Sequence, residues 1–509
     1  MIAIRSMALT ARNGLTRATH ALNVARCLQR GSLGGMGRAG KVSVPVLACA
    51  ALAGVAFGVV GGAHASAKAA ASQRMNVIVI LSDDERVAGN SVMKNVQLLG
   101  KHGVTFSDYH VTTSECGPSR ASILSGEYSH HTGVLANFGP NSYPMFDDTS
   151  DLAVWLHKAG YTTGLVGKYL NDYTLDGHHV VPPGWDDWQA IDSIPEEKYY
   201  NYTINEGGGR LVHYGSKPSD YSTTVLTQKA LSFIRGAKSP FFLYFAPVAP
   251  HLPATPAPGD AGSLTNLPPL ASPAVNEKNI GDKPWAAWHS RTLNTKAGSY
   301  TEQVRTHQLE SLLALDRSVG KIVATLRQRH QLDHTVILYT SDNGFLWGEH
   351  RLGGKLWPYE ESTHVPLIVR TPWQEGNGTV NEAPVLNIDL ASTISALAHV
   401  QPGKLQDGDS FVPFLHGRAE PWRKAFVIEY LGPDELKQGG PPPYVAVHTR
   451  RYLYVEYRRG WRELYDLRTD RWELRNVAGK PAYAKTQATL HALLHRLYAA
   501  PMHKGAAAT

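Results

Sequence analysis

Cysteine is scarce in this sequence, acidic residues are missing from its first 65 positions, and internal repeats are absent. The three cysteines among 509 residues are Cys27, Cys49 and Cys116, and the first two fall in an N-terminal leader. A chain processed after that leader keeps Cys116 alone, so a disulfide framework within one chain is excluded. A single thiol in an exported protein calls for a chemical reason. Residues 1–65 carry seven cations (Arg5, Arg12, Arg17, Arg26, Arg30, Arg38 and Lys41) and no Asp or Glu. The rest of the chain holds the remaining 43 of 50 basic residues against 43 acidic ones, so the net charge of +7 belongs to the leader. A basic surface for nucleic acid is not indicated.

Long apolar runs are likewise missing outside one stretch, Val42 to Val60, which follows the cationic segment and leads to Ala63-His64-Ala65 and Ala65-Ser66-Ala67. That order is that of a signal peptide over residues 1–67, and it predicts secretion or a periplasmic location with no stable membrane association afterwards. Met36 is the more typical start for such a leader. An uncleaved N-terminal anchor is the alternative, because the stretch approaches spanning length.

What is present is a set of short runs that are apolar on both faces: 75–81, Phe241–Phe245, Val336–Tyr339 and Pro366–Val369. Each reads as a buried strand. Between them lie helical patterns, the clearest with Leu309, Leu312, Leu315, Val319, Ile322, Val323 and Leu326 on one face and Asp316, Arg317 and Lys321 off it. Alternation of this kind predicts an α/β domain over 72–418, with helices on both faces of a large, mostly parallel sheet. Residues 251–290 form a long loop rich in Pro, Gly and Ala, with Trp285 and Trp288 near its end. From about Trp422 the pattern changes to short alternating strands (Phe426–Tyr430, Val445–Val447, Tyr452–Tyr457) and a final helix near Thr486–Tyr498. A smaller α+β subdomain on a short antiparallel sheet is expected over 419–502.

Three polar clusters fall where strands should end, the usual place for chemistry in such sheets. Ser82-Asp83-Asp84 and Ser341-Asp342-Asn343-Gly344 each follow a buried strand, and Cys116-Gly117-Pro118-Ser119-Arg120 opens a short helix that stops at Gly126. Adjacent carboxylates repel one another unless a cation or proton intervenes. Asp83, Asp84, Asp342 and Asn343 offer the oxygen ligands that a hard dication takes, although turn residues or helix caps would read the same way. Pro118 suits the first helical position, which would set Cys116 near the positive end of the helix. The bland alternative is a buried inert thiol.

Cys-x-Pro-Ser-Arg followed by Leu124-Ser125-Gly126 resembles the signature of type I sulfatases. Gly160-Tyr161-Thr162-Thr163 with Gly167-Lys168, then Ala249-Pro250-His251-Leu252-Pro253, resemble further family segments. So do Ser341-Asp342-Asn343-Gly344 with Lys355 and Tyr359-Glu360, and Glu463-Leu464-Tyr465-Asp466-Leu467. The resemblance implies an alkaline-phosphatase-like fold and a sulfuric ester hydrolase. It implies formylglycine made from Cys116 by a formylglycine-generating enzyme, and Ca2+ held by Asp83, Asp84, Asp342 and Asn343 with the residue-116 oxygen facing it. A hydrated formylglycine would take the sulfuryl group as a sulfo-enzyme and release it by collapse to the aldehyde. Arg120 would stabilise the diol, Lys168 and Lys355 would bind sulfate oxygens, and His251 would protonate the leaving oxygen or contact the sulfate. Magnesium or manganese would also suit the ligand set.

One position departs from the family pattern. Leu170 stands where many members carry a histidine that hydrogen-bonds the diol, which leaves Asn171 or a water for that task. His350 reads as structural. Lys168-Tyr169-Leu170-Asn171, Val181-Pro182-Pro183-Gly184-Trp185 and Tyr199-Tyr200-Asn201-Tyr202 look most like the N-acetylglucosamine-6-sulfatase branch, so a sulfated carbohydrate is the expected substrate. Their aromatic side chains would either stack on sugars or pack in the core. The competing readings are a broad arylsulfatase, a phosphonate monoester or phosphodiester hydrolase, and a non-catalytic glycan-binding protein with Cys116 unmodified.

Overall fold

The computed structural model describes residues 74–174, 179–192, 198–288 and 295–503, and the leader lies outside them. Strand Asn76–Ser82 is buried at every position. It lies between two parallel neighbours, Thr335–Ser341 and Phe241–Ala246, with Val77 opposite Val336 on one side and Phe242 on the other. Its side chains alternate between two cores: Val77, Val79 and Leu81 enter one, Ile78 and Ile80 the other. A strand covered on both faces has no use for polar alternation, which is why the run is apolar throughout. Each such side chain contributes about 1.5–3 kcal/mol of burial.

Ten strands make the main sheet. Its order is Thr379–Asn381, Gly103–Phe106, Leu367–Arg370, Thr335–Ser341, Asn76–Ser82, Phe241–Ala246, Thr162–Gly167, Asp187–Ile191, Tyr202–Glu206 and Arg210–Tyr214. The four middle pairings, from Thr335–Ser341 to Asp187–Ile191, are parallel. Leu367–Arg370 runs antiparallel to both its neighbours, and two antiparallel pairings close the far edge.

Helix Thr295–Gln328 packs Leu309, Leu312, Leu315, Val319, Ile322 and Leu326 under one face of this sheet. Asp316 departs from the expectation that it lies off the apolar face. It is buried, and its carboxylate accepts the backbone N–H groups of Asn95 (2.7 Å) and Val96 (3.0 Å) at the start of helix Lys94–Lys101. A carboxylate there satisfies donors that the helix itself cannot.

Helix Cys116–Ser125 is buried along its whole length and ends at Gly126, whose φ of 77° closes it in a left-handed cap. Cys116, not Pro118, is its first residue. Pro118 is the third, where its missing N–H is still one of the donors without a partner inside the helix.

The C-terminal region forms a four-stranded antiparallel sheet, Ala425–Tyr430, Tyr444–Thr449, Tyr452–Tyr457 and Arg462–Asp466. Helix Ala484–Tyr498 covers one face through Leu490 and Leu494. The other face packs on Trp357, Tyr359, Leu386 and Ile388. In the loop that begins at His251, Trp285 is fully buried and donates to the Tyr359 hydroxyl (3.0 Å), whereas Trp288 is half exposed. Among the described residues no helix is long and apolar enough to cross a membrane.

Candidate active site

Parallel pairing in register brings the acidic clusters together. Ser82 lies opposite Ser341, so Asp83-Asp84 and Asp342-Asn343 leave the sheet side by side. The backbone joins them: Asp342 N–H donates to Ser82 O (3.2 Å), and Asp84 N–H to Asp342 Oδ1 (3.2 Å). Asp84 sits at φ 72°, a left-handed conformation that aspartate tolerates better than most residues.

The basic side chains come from three further segments. Lys168 follows Thr162–Gly167 and anchors its N–H on Ala246 O (2.7 Å). Gly167 allows this approach, because its φ is 120° and a Cβ there would lie 2.1 Å from that same oxygen. Lys168 Nζ is 2.7 Å from Asp83 Oδ2. Lys355 Nζ bonds Asp84 Oδ1 and lies 2.7 Å from Cys116 Sγ. His251, beyond Phe241–Ala246, donates from Nδ1 to Leu252 O (2.7 Å) and turns Nε2 toward Asp84 Oδ2 at 3.6 Å.

Arg120 braces the floor. Fully buried, it donates from Nε to Asp342 Oδ2 (2.8 Å) and from Nη1 to the Lys168 carbonyl (2.8 Å), with Nη2 3.4 Å from Asp83. Cys116 Sγ lies 3.4 Å from Asp83 Oδ1 and 3.9 Å from Asp84 Oδ1. One ligand atom from each of Asp83, Asp84, Cys116 and His251 lies within 4.8 Å of the others. The carboxylates are deepest, and Lys355 and His251 are the more exposed side chains at the mouth.

Burial and charge divide these groups. Burial pushes the Asp83 carboxyl up, but Lys168, His251, Arg120 and Lys355 together hold it well below the usual carboxylate range. Burial and the neighbouring Asp83 raise Asp342. Burial, then Asp83, push the Cys116 thiol well above its ordinary value, so it is a neutral thiol. The Asp84 carboxylate and its neighbours overcome burial at Lys355 and keep it charged.

A hard dication fits this donor set. Asn343 donates from Nδ2 to Asp84 Oδ1 (2.6 Å) and to Gly344 O (2.9 Å), which leaves Oδ1 buried with no hydrogen-bond partner among the described residues. A buried amide oxygen without a donor, beside three carboxylates, is an arrangement that a cation completes.

Two asparagines complete the surroundings of Cys116. Asn171 is buried beside Gly117, and its Oδ1 also lacks a hydrogen-bond partner among the described residues. Leu170 is in the core. Asn137 was not foreseen: its Oδ1 accepts the Gly117 N–H (2.7 Å), while its own N–H donates to Glu115 Oε1 (2.8 Å). It sits in an irregular loop with no motif or periodicity to flag it. His350 is fully buried, bonds Glu277 Oε2 through Nδ1 (2.7 Å), and is pushed down to about 3 by burial and then by Lys283. Tyr169, Trp185, Tyr199 and Tyr202 are core residues, not sugar platforms; Tyr200 is half-buried.

The sulfatase family model matches residues 75–400, and the model for the C-terminal part of N-sulphoglucosamine sulphohydrolase matches 348–500. The chain is 35% identical over 384 residues to human N-acetylglucosamine-6-sulfatase, covering 72% of this chain and 68% of that one. It is 32% identical over 385 residues to the extracellular sulfatase SULF-1 homolog of Drosophila melanogaster, covering 72% of this chain and 34% of that one. It spans only about a third to a half of the two extracellular sulfatases it matches from fly and nematode. A protein solved with its substrate D-glucosamine-2-N,6-O-disulfate superposes with a TM-score of 0.71 at 25% identity, over 83% of this chain and 97% of that one. A phosphonate monoester hydrolase of Agrobacterium radiobacter shares the fold, with a TM-score of 0.68 at 22% identity over 84% and 96%. With its α/β sheet and strand-end cluster, the chain belongs to the type I sulfatase family of alkaline-phosphatase-like fold.

Proposed function

We propose that this protein hydrolyses sulfate esters of glucosamine-type sugars, with 6-sulfated N-acetylglucosamine as the substrate class. The observation that carries the reading is the convergence of Cys116, three aspartates, Asn343, two lysines and His251 in one cluster at the strand ends. Its occurrence in a chain 35% identical to N-acetylglucosamine-6-sulfatase supports the sugar.

Formylglycine made from Cys116 by a formylglycine-generating enzyme supplies a hydrated-aldehyde nucleophile, and Ca2+ held by Asp83, Asp84, Asp342 and Asn343 supplies the charge that lets it act at neutral pH. The other roles fall to the side chains themselves. Lys355 Nζ, next to the residue-116 side chain, and Lys168 Nζ neutralise sulfate oxygens as charge builds on them. His251 Nε2 gives a proton to the departing sugar oxygen, its ring held by the Nδ1–H bond to Leu252 O. Arg120 is a positioning residue that fixes Asp342 and the Lys168 backbone together. Asn171, at the position beside Leu170, orients the nucleophile through its side-chain amide. The leader directs the chain to secretion or the periplasm.

Sulfate release from N-acetylglucosamine 6-sulfate and from an aryl sulfate tests this, with protein co-expressed with a formylglycine-generating enzyme and Cys116→Ala as control. Release from the sugar that is absent in the variant is the expected result. Release from the aryl ester alone discards the sugar, and activity that survives in Cys116→Ala discards the nucleophile.

A further inference from the structure

A second cluster of ligating side chains lies where the C-terminal sheet meets the main domain, and the reaction does not use it. His110 ends the short strand Tyr109–His110, Glu360 opens helix Glu360–Thr363, and His448 lies on strand Tyr444–Thr449. One ligand atom from each lies within 4.8 Å of the others, and His448 Nε2 is 3.8 Å from Glu360 Oε2. The His110 and His448 rings are 4.9 Å apart between centroids.

His110 and His448 are more than nine-tenths buried, at 1% and 7% exposure. Even so, His110 Nδ1 and both ring nitrogens of His448 have no hydrogen-bond partner among the described residues. Such groups cost roughly 1–3 kcal/mol each when left unsatisfied, so three such nitrogens at one spot need a reason.

The surrounding contacts orient the cluster. Asp108 Oδ1 accepts a hydrogen bond from His110 Nε2 at 3.0 Å, and Nδ1 is the ring nitrogen left without a partner among the described residues. His364 places Nδ1 2.9 Å from Glu360 Oε1 and Nε2 3.0 Å from Ser107 O. These two contacts hold the His364 ring, which fixes the Glu360 carboxylate from one side. The other Glu360 oxygen is the one that faces His448. A carboxylate behind a ligating imidazole, and a held carboxylate beside it, are the outer contacts that metal sites use.

We propose that His110, His448 and Glu360 bind a transition-metal dication, with Zn2+ the best match, which ties strand Tyr444–Thr449 of the C-terminal sheet to the main domain. Two imidazoles and one carboxylate with a place left for water make a zinc ligand set, unlike the all-oxygen set at Asp83. Bonds of about 2.0–2.1 Å to a tetrahedral ion put ligand atoms about 3.4 Å apart, so closure needs rotamer shifts of no more than an ångström or so. Glu360 is 39% exposed along its side chain and leaves a way in.

The test loads full-length protein with Zn2+ and desalts it. Metal is then counted by plasma mass spectrometry, and thermal unfolding is followed with and without Zn2+. Wild type is expected to keep a zinc equivalent and to unfold at a higher temperature with it. His448→Gln and Glu360→Gln should each lose that zinc and the temperature response while keeping the response to Ca2+. Glu360→Gln still accepts from His364, so it guards against a variant that merely misfolds. Wild type that holds no zinc overturns the proposal. So does zinc that both variants retain but that His491→Gln loses, since that histidine belongs to the exposed group with Glu456 and His495.

Discussion

Arg120 offers the sharpest test of how the site is built. Its guanidinium is fully buried and meets Asp342 at 2.8 Å, Asp83 at 3.4 Å and the Lys168 carbonyl at 2.8 Å. Arg120→Met keeps most of the stem volume and removes the charge, so the loss reads the ion pairs and not a cavity. Stripping one partner from a buried pair costs about 3–5 kcal/mol, against about 0–1 for an exposed one. At about 1.4 kcal/mol per decade, the folding equilibrium should fall by about two to three and a half orders of magnitude. Arg120→Lys should lose less, because one ammonium keeps the charge but cannot span both carboxylates and the carbonyl. Urea unfolding at pH 7, with an unchanged slope, measures both. Chelator should enlarge the Arg120→Met loss, since Asp83 and Asp342 then face one cation fewer. A loss below about 1 kcal/mol for Arg120→Met would place this pair with surface pairs and refute the reasoning.

Three more outcomes follow from the same geometry. Ca2+ at a hundred times its dissociation constant should stabilise wild type by about 2.7 kcal/mol, and Asn343→Ala should blunt that response in a calcium titration of the unfolding temperature. Gly344→Ala would put a Cβ 2.2 Å from Glu361 O and should cost about 1–3 kcal/mol along with activity, whereas Gly353→Ala, with nothing within 4 Å, should be near neutral in the same scan. Asp151 caps helix Leu152–Lys158, and burial, opposed by the Val154 N–H, raises it from 3.8 to about 7. Its stabilising contribution is therefore complete below pH 3.8 and lost as pH rises through 7, so Asp151→Asn should gain about 4 kcal/mol on wild type between pH 4 and pH 8 in stability profiles.

The sheet centre was legible because strands buried on both faces are apolar at every position, as Asn76–Ser82 and Thr335–Ser341 are. The edge strand Arg210–Tyr214 escaped because it is largely exposed and reads as loop, and its neighbour Tyr202–Glu206 because polar residues interrupt its apolar pattern. Helical period alone sets Asp316 off the apolar face; the helix end it satisfies lies more than 200 residues away in sequence. The acidic pairs and Cys116 could be found because each directly follows a recognisable strand or opens a helix. Asn137 could not, because its bond to Gly117 arises from loop packing that no spacing encodes. The aromatics around Tyr169 stayed open between sugar stacking and core packing for a related reason: composition places a ring near a site, but only packing says which side of the wall it is on.

Charge at the site also bears on which ester it takes. Asp83, Asp84 and Asp342 balance Arg120, Lys168 and Lys355 in formal charge. With a dication held there the cluster is at +2, apart from the His251 proton that goes to the departing oxygen and cancels its charge, and one oxyanion at position 116 and one monoanionic ester cancel that +2. Sulfate and phosphonate monoesters bring that single charge, whereas a phosphate monoester above its second pKa, about 6, brings two. An uncompensated charge about 4 Å away costs about 4 kcal/mol at an effective dielectric of 20, or up to about three orders of magnitude in rate. On matched aryl esters at pH 8, sulfate should therefore outrun phosphate by a wide margin. Lowering the pH to 5.5 should narrow the gap, because the phosphate ester then gains a proton and the sulfate ester does not. A phosphate ester turned over as fast as the sulfate at pH 8, with no gain at pH 5.5, would show that charge balance does not set the preference.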